Sequence, residues 1–253
     1  VALFQNKMTD AANYAEAVLA NSSFSLASTA MDFSKNWVAG NSSPEIIFAY
    51  VNNSRASSPL NFTLYVNDTD GSWNYAPSDW CYNSLFADDN TLSCKGDVRL
   101  KATFTSQDAN RVIKYPNGTY QLAETSDYTC TPVVISRISE MYLIKAEALG
   151  KTNGAAALVE YMKKRYTTAP SEAAIKALSD KEYQTLILDE RRREFYAEGM
   201  RWQDIKRTNR LELLETLDGR TYLMYYPIPQ DEIDMAGTVA YPQNPGYAGY
   251  TGN

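Results

Sequence analysis

The chain has 253 residues, 44% of them hydrophobic, with 24 Lys and Arg against 30 Asp and Glu and no histidine. That length can bury the core of one large domain or two modest ones, and a net charge of −6 speaks against a sequence-independent nucleic-acid binder, which needs a clustered basic excess. Without histidine, the usual base of Ser and Cys triads and the commonest transition-metal ligand are missing, so hydrolysis by carboxylates is the main familiar hydrolytic chemistry left.

In chain order, residues 1–20 read as a helix hairpin. Val1 to Lys7 forms one piece and Thr9 to Ala20 the other, with Tyr14, Ala15, Val18 and Leu19 as its apolar stripe. The opening Val-Ala-Leu-Phe looks like the middle of a helix rather than a leader, so the chain reads as a processed or truncated piece. No apolar run approaches the roughly 20 residues that cross a bilayer. Residues 21–131 dissolve into loops, with short strands at Glu45 to Val51 and Phe62 to Val66, and with Trp37 and Tyr50 assigned to the core. An unstructured excursion of that length points to function. Six Asn-x-Ser/Thr sites, from Asn21 to Asn117, suit an extracellular or cell-surface domain. Cys81, Cys94 and Cys130 lack metal-type spacing, and a Cys81–Cys94 disulfide is one of the pairings left open.

Helices return at 132–217. Ile138, Met141, Tyr142, Lys145, Ala148 and Leu149 share one face, Gly150 or Gly154 ends the turn, and Leu158, Val159, Met162 and Tyr166 mark a second helix over Ala155 to Thr167. The pair matches a tetratricopeptide hairpin in length. Ser179 with Glu182 forms a capping-box pattern that opens a helix running to Glu198, with Gly199 as its C-terminal cap. Residues 218–253 read as extended, because the prolines of Tyr225-Tyr-Pro-Ile-Pro229 forbid regular helix.

The stretch Leu188 to Arg207 carries eleven charges in twenty residues. On a helical wheel Tyr183, Leu186, Ile187, Glu190, Glu194, Ala197 and Glu198 fall on one face, so the glutamates point where core should be. Buried carboxylates need cations. Arg137, Lys145 and Arg201 are the candidate partners, with Arg193 in reach of Glu190 at i+3 and Trp202 beside them. A glycosidase would use two such carboxyls, one as a proton donor; a basic surplus around them would keep both ionised and make them structural.

Four separated stretches then carry a resemblance: Arg137 to Ala148 (RISEMYLIKAEA), Glu190 to Arg207 (ERRREFYAEGMRWQDIKR), Tyr226 to Ile233 (YPIPQDEI) and Gln243 to Tyr247 (QNPGY). In this order they resemble the C-terminal half of the SusD/RagB family, with weaker matches at Pro44 to Ala49, at Gly96 to Leu100 and over Val1 to Leu26. The resemblance implies a mainly α, SusD-like fold of tetratricopeptide-like hairpins with long irregular loops and a few short strands, in one domain over 1–253. It lacks the family's N-terminal half with its lipidated cysteine. It also implies a non-enzymatic, glycan-binding lipoprotein on the outer face of the Bacteroidetes outer membrane, lipid-anchored in full length, that serves a TonB-dependent SusC-like transporter and uses no cofactor and no metal. Sugars stack their flat C–H faces on aromatic rings and offer hydroxyls to amides and carboxylates. The best such platform is Gly71 to Asn83, with Trp73, Tyr75, Asp79, Trp80 and Tyr82. Two other readings stay open: a tetratricopeptide-type protein-interaction module, which a concave helical groove would support, and a carboxylate glycoside hydrolase, which a glutamate of raised pKa in a cleft would support.

Overall fold

The computed structural model describes residues 1–38, 43–51, 77–88, 92–104, 112, 114, 132–214, 217–236 and 241–248. Two compact units divide it, Val1–Glu198 and Gly199–Asn253. Among the described residues, the helices are α1 (Met8–Leu19), α2 (Ala30–Ser34), α3 (Val98–Thr103), α4 (Ile138–Arg165), α5 (Glu172–Lys176), α6 (Asp180–Glu194), α7 (Met200–Thr208) and α8 (Gln230–Met235). The strands are β1 (Ile46–Tyr50), β2 (Lys95–Asp97), β3 (Val133–Arg137) and β4 (Tyr166–Thr168). The architecture is mainly α. The strand expected at 62–66 lies outside the described residues.

In the first unit α1 packs on α4. Its buried side chains are Ala11, Ala12 and Ala15; of the expected stripe Ala15 is buried and Val18 and Leu19 half-buried, while Tyr14 is 67% exposed. The piece before it is not a helix. Residues 2–6 form turns closed by Lys7 N–H on the Ala2 carbonyl, with Asn6 at φ 57°.

Helix α4 is two arms. Gly150 sits at φ 66°, ψ 174°, outside helical space. A Cβ added at Gly154 would stand 2.2 Å from the Ala146 carbonyl oxygen. In a straight helix residues eight apart are about 12 Å apart along the axis, so the chain folds back at Gly150, as the hairpin pattern required. Tyr183 of α6 donates to that same Ala146 carbonyl and ties α6 to the turn. The α6 N-terminus has the predicted capping box: Ser179 Oγ accepts from Glu182 N–H (3.2 Å) and Glu182 Oε2 from Ser179 N–H (2.7 Å).

The C-terminus of α6 departs from expectation. It ends at Glu194 rather than Glu198, followed by turns in which Ala197 takes φ 61° and Gly199 φ 80°. The cause is visible at the last carbonyls. Arg137 Nη2 (3.0 Å) and Lys114 Nζ (3.4 Å) both donate to the Glu194 carbonyl, and Lys114 Nζ also donates to that of Tyr196 (2.9 Å). Buried cations take the acceptors that a longer helix would use, at the negative end of the helix dipole.

Two short antiparallel pairings stitch distant sequence to these helices. β1 pairs with β3, with Ile46 opposite Arg137, and β2 pairs with β4, with Asp97 opposite Tyr166. Tyr50, assigned to the core from sequence, is 61% exposed at the end of β1, whereas Trp37 is fully buried against Phe33.

In the second unit the two C-terminal motifs close on each other. Ile228 lies between Pro227 and Pro229, so few backbone donors surround it. The Gln243 amide acts as a substitute backbone: its Oε1 accepts from Ile228 N–H (2.7 Å) and its Nε2 donates to the Ile228 carbonyl (2.9 Å). Asn244 Nδ2 donates to the Tyr226 carbonyl, and Tyr247 to that of Tyr225. Gly246 is required here, because a Cβ would lie 2.3 Å from the Tyr222 ring.

Candidate functional site

Two candidate sites follow from the acidic face of α6. The first is buried. Glu194 is fully enclosed and accepts four hydrogen bonds: at Oε1 from Arg137 Nη1 (2.6 Å) and Arg165 Nη2 (2.9 Å), and at Oε2 from Arg165 Nε (2.8 Å) and the Tyr161 hydroxyl (2.8 Å). These fill the capacity of a carboxylate. One turn earlier, Glu190 accepts from the Tyr166 hydroxyl (2.6 Å), Arg193 Nη1 (2.9 Å) and Arg99 Nη1 (2.8 Å). Arg99 is itself held by a two-point contact with Asp97, through Nε (2.8 Å) and Nη2 (2.7 Å). Glu45 joins Arg165 (2.7 Å) and Arg137 (3.3 Å). Lys114 meets Glu198 at 2.5 Å with its ammonium 4.3 Å from the centroid of the Trp37 ring.

Among the described residues the charges close among themselves. The carboxylates of Glu45, Asp97, Glu190, Glu194 and Glu198 face the cations of Arg99, Lys114, Arg137, Arg165 and Arg193, five against five. Burial by itself would raise the carboxyl pKa of Glu194, but Arg165 and Arg137 outweigh it and hold the group well below the usual glutamate range. For Glu190, burial is outweighed by Arg99 and Arg193, and its pKa also falls. Lys114 shows the opposite balance: burial lowers its pKa to about 8 despite Glu198.

Of the partners read from sequence, Arg137 and Arg193 stand in this network beside Glu190 and Glu194. Lys145 does not. Lys145 forms a partly exposed ion pair with Glu16 of α1, because its position on α4 faces α1 rather than α6. Arg201 belongs to the second unit, where its Nη2 donates to the Leu213 carbonyl. Glu198, read from sequence on the same acidic face, joins the network through Lys114 and Arg137, whereas Glu45, Asp97, Arg99, Lys114 and Arg165 were not singled out from sequence as network members. A signal existed for three of them: Pro44 to Ala49 and Gly96 to Leu100 each set charged residues, Glu45 or Asp97 and Arg99, among apolar ones.

The second site lies at the surface. Asp79 and Trp80 open a turn that continues as a π-helix over Cys81–Leu85. Such turns are frequent at functional sites. Arg193 Nε donates to the Leu85 carbonyl at 2.6 Å and fixes the turn to α6, while Arg192 lays its guanidinium 4.5 Å from the centroid of the Trp80 ring. Trp80 remains 40% exposed and Asp79 is exposed. Tyr82 is half-buried and points its ring at Phe104, 5.9 Å between centroids, so it serves the core under the turn rather than its face. Trp73 and Tyr75 lie outside the described residues. Cys81 is a free, buried thiol and Cys94 is also buried, and the two are not bridged to each other. A separate hollow of about 340 Å³, lined by Leu3, Tyr14, Met141 and Ile144 among others, adjoins α1 and α4. Among the described residues no group of side chains is arranged to hold a metal ion, and no helix is long and apolar enough to cross a membrane.

Helical hairpins pinned by a neutral buried ion network, with an aromatic turn fixed to the surface, define a mainly α scaffold protein. The SusD family model matches residues 95–218. A SusD-like protein of Formosa agariphila is 30% identical over 148 residues, 53% of this chain and 29% of that protein. Among solved structures, a SusD superfamily protein of Bacteroides thetaiotaomicron superposes with a TM-score of 0.63 at 22% identity, over 94% of this chain and 57% of that one. Surface glycan-binding protein A of the same organism, solved in complex with laminarihexaose, superposes with a TM-score of 0.61 at 21% identity, over 96% and 61%. The chain resembles the SusD/RagB family in sequence over residues 95–218 and shares the fold of SusD superfamily proteins over most of its length. It spans about three-fifths of the length of these solved relatives and 29% of the curated one.

Proposed function

We propose that this chain captures glycans at the cell surface without cleaving them, and that the Trp80 turn is part of its sugar-binding face. The observation that carries the reading is an exposed indole mounted on a turn that Arg193 fixes to the scaffold. A ring held this way stacks on a sugar at little entropic cost. The carboxylates support the non-catalytic half of the reading. A glycosidase acid must hold a proton near neutral pH, whereas Glu190 and Glu194 are fully buried, charge-paired and lowered in pKa. The solved relative bound to laminarihexaose supports a glycan as the ligand class. In the full-length protein we place this domain on the outer face of the outer membrane by a lipid anchor, passing oligosaccharide to a SusC-like TonB-dependent transporter.

The test is calorimetric titration of the intact protein and of the Trp73→Ala, Trp80→Ala double variant against an oligosaccharide panel that includes laminarihexaose. Each stacked ring contributes on the order of 1 kcal/mol by analogy with aromatic pairs, so the double variant loses roughly tenfold or more in affinity. Equal affinities would move the site away from residues 71–83.

A further inference from the structure

Three consecutive arginines, Arg191, Arg192 and Arg193, leave α6 in different directions, as about 100° per residue requires. Arg191 pairs with Glu140 at 3.7 Å and covers the Phe195 ring. Arg193 pairs with Glu190 and holds the Leu85 carbonyl. Arg192 differs: half-buried, it lies over the Trp80 ring and, among the described residues, forms no ion pair and no hydrogen bond. It stands apart from a network in which, among the described residues, five carboxylates face five other cations.

Resting on the reading of the Trp80 turn as a sugar-binding face, we infer that Arg192 and Trp80 together form a subsite for an acidic sugar, one bearing a carboxylate or a sulfate ester. The geometry is that of a preformed anion receptor. With its Cζ 4.5 Å from the indole centroid the guanidinium rests against the ring, and its N–H donors, none of them hydrogen-bonded among the described residues, stay available to a ligand. Two parallel N–H donors match two oxygens of a carboxylate or sulfate, a fit a lysine ammonium cannot reproduce. The exposed part of Trp80 offers an apolar surface to the pyranose ring that carries the acid. Both groups are positioned before ligand arrives: Arg192 by the regular part of α6, Trp80 by the π-helical turn that Arg193 anchors.

The experiment compares an oligogalacturonate with its methyl ester, an uncharged ligand of nearly the same shape, and a sulfated oligosaccharide with its desulfated form. Titrations use the whole chain, its Arg192→Gln variant, which keeps much of the apolar stem, and its Arg192→Lys variant, which keeps the charge. The readout is the affinity ratio of each acidic ligand to its neutral counterpart. Wild type favours at least one acidic ligand by about tenfold or more, and that preference shrinks as salt rises and screens the pair. Arg192→Gln brings the ratio close to one, Arg192→Lys restores only part of it, and both variants keep the wild-type circular dichroism. The carboxylate and sulfate arms separate the two anions. A wild-type ratio of one with measurable binding of the neutral forms would overturn the inference while leaving the glycan reading intact. A ratio that survives Arg192→Gln would place the anion elsewhere and also overturn it. Failure of every ligand to bind would overturn both.

Discussion

Replacing Glu194 by alanine removes the acceptor at the centre of the buried network. Four hydrogen bonds go at once, two of them from Arg165 and one each from Arg137 and Tyr161. The charge count changes from five against five to four carboxylates against five cations, all in a region closed to water. The attraction lost matters less than the cation left behind, since breaking a buried pair from one side costs about 3–5 kcal/mol. For a chain of this size the lower figure corresponds to a fall in Tm of roughly 6–12 °C. Glu194→Gln keeps the volume but turns two N–H donors toward arginines, so it too destabilises. Urea unfolding, followed by far-ultraviolet circular dichroism, measures the loss from the shift in midpoint at constant slope. Glycan affinity per folded molecule stays at the wild-type value, because the network lies beneath the surface turn. A Glu194→Ala variant that kept its midpoint while losing a hydrolytic activity would refute the structural role and restore the enzyme.

The network also sets the pH response. Lys114, lowered by burial to about 8 in the folded state, ordinarily titrates near 10.5, so between these values the unfolded chain binds more protons and stability rises with pH. Relative to Lys114→Met, wild type therefore gains stability between about pH 8 and 10.5, and parallel urea titrations of the two proteins would miss this rise if burial were not the cause. On the acid side Glu190 and Glu194 are lowered, so their contribution is full above the ordinary value of 4.5 and declines as pH falls below it. At the α4 turn, Gly154→Ala drives a Cβ into the Ala146 carbonyl at 2.2 Å, whereas Gly150→Ala meets open space and only the strain of φ 66°. Thermal melts should show the first more damaging than the second, whose backbone strain at φ 66°, ψ 174° costs about 1–3 kcal/mol; the reverse order would mean the arms do not fold back there.

Local signals were legible wherever the cause is local. Ser179 and Glu182 are three residues apart, so the capping box could be read directly, and the break in α4 was narrowed to Gly150 or Gly154, of which Gly150 carries it. The wheel also located Glu190 and Glu194 in the core, because a helix face is a property of one segment. It could not say what lies opposite. Glu45 and Arg165 meet across 120 positions, and Arg99 and Glu190 across 91; only tertiary packing chooses Arg165 over Lys145, which sits on an apolar face that turned out to meet α1. The end of α6 was misplaced for the same reason, since the donors that stop it at Glu194 come from Lys114 and Arg137. At the surface, composition drew attention to Trp80 but not to Arg192, whose significance depends on every neighbouring arginine being occupied.

The most direct test of the account is titration of Trp80→Ala against the tightest-binding oligosaccharide of the panel, with free reducing ends assayed in the same samples. Trp80 makes no buried ion pair, so the account predicts affinity reduced by several-fold, on the order of the 1 kcal/mol of one stacked ring, an unchanged melting temperature, and no reducing ends released by either protein. Unchanged affinity in Trp80→Ala, or sugar cleaved by the wild-type chain, would contradict it.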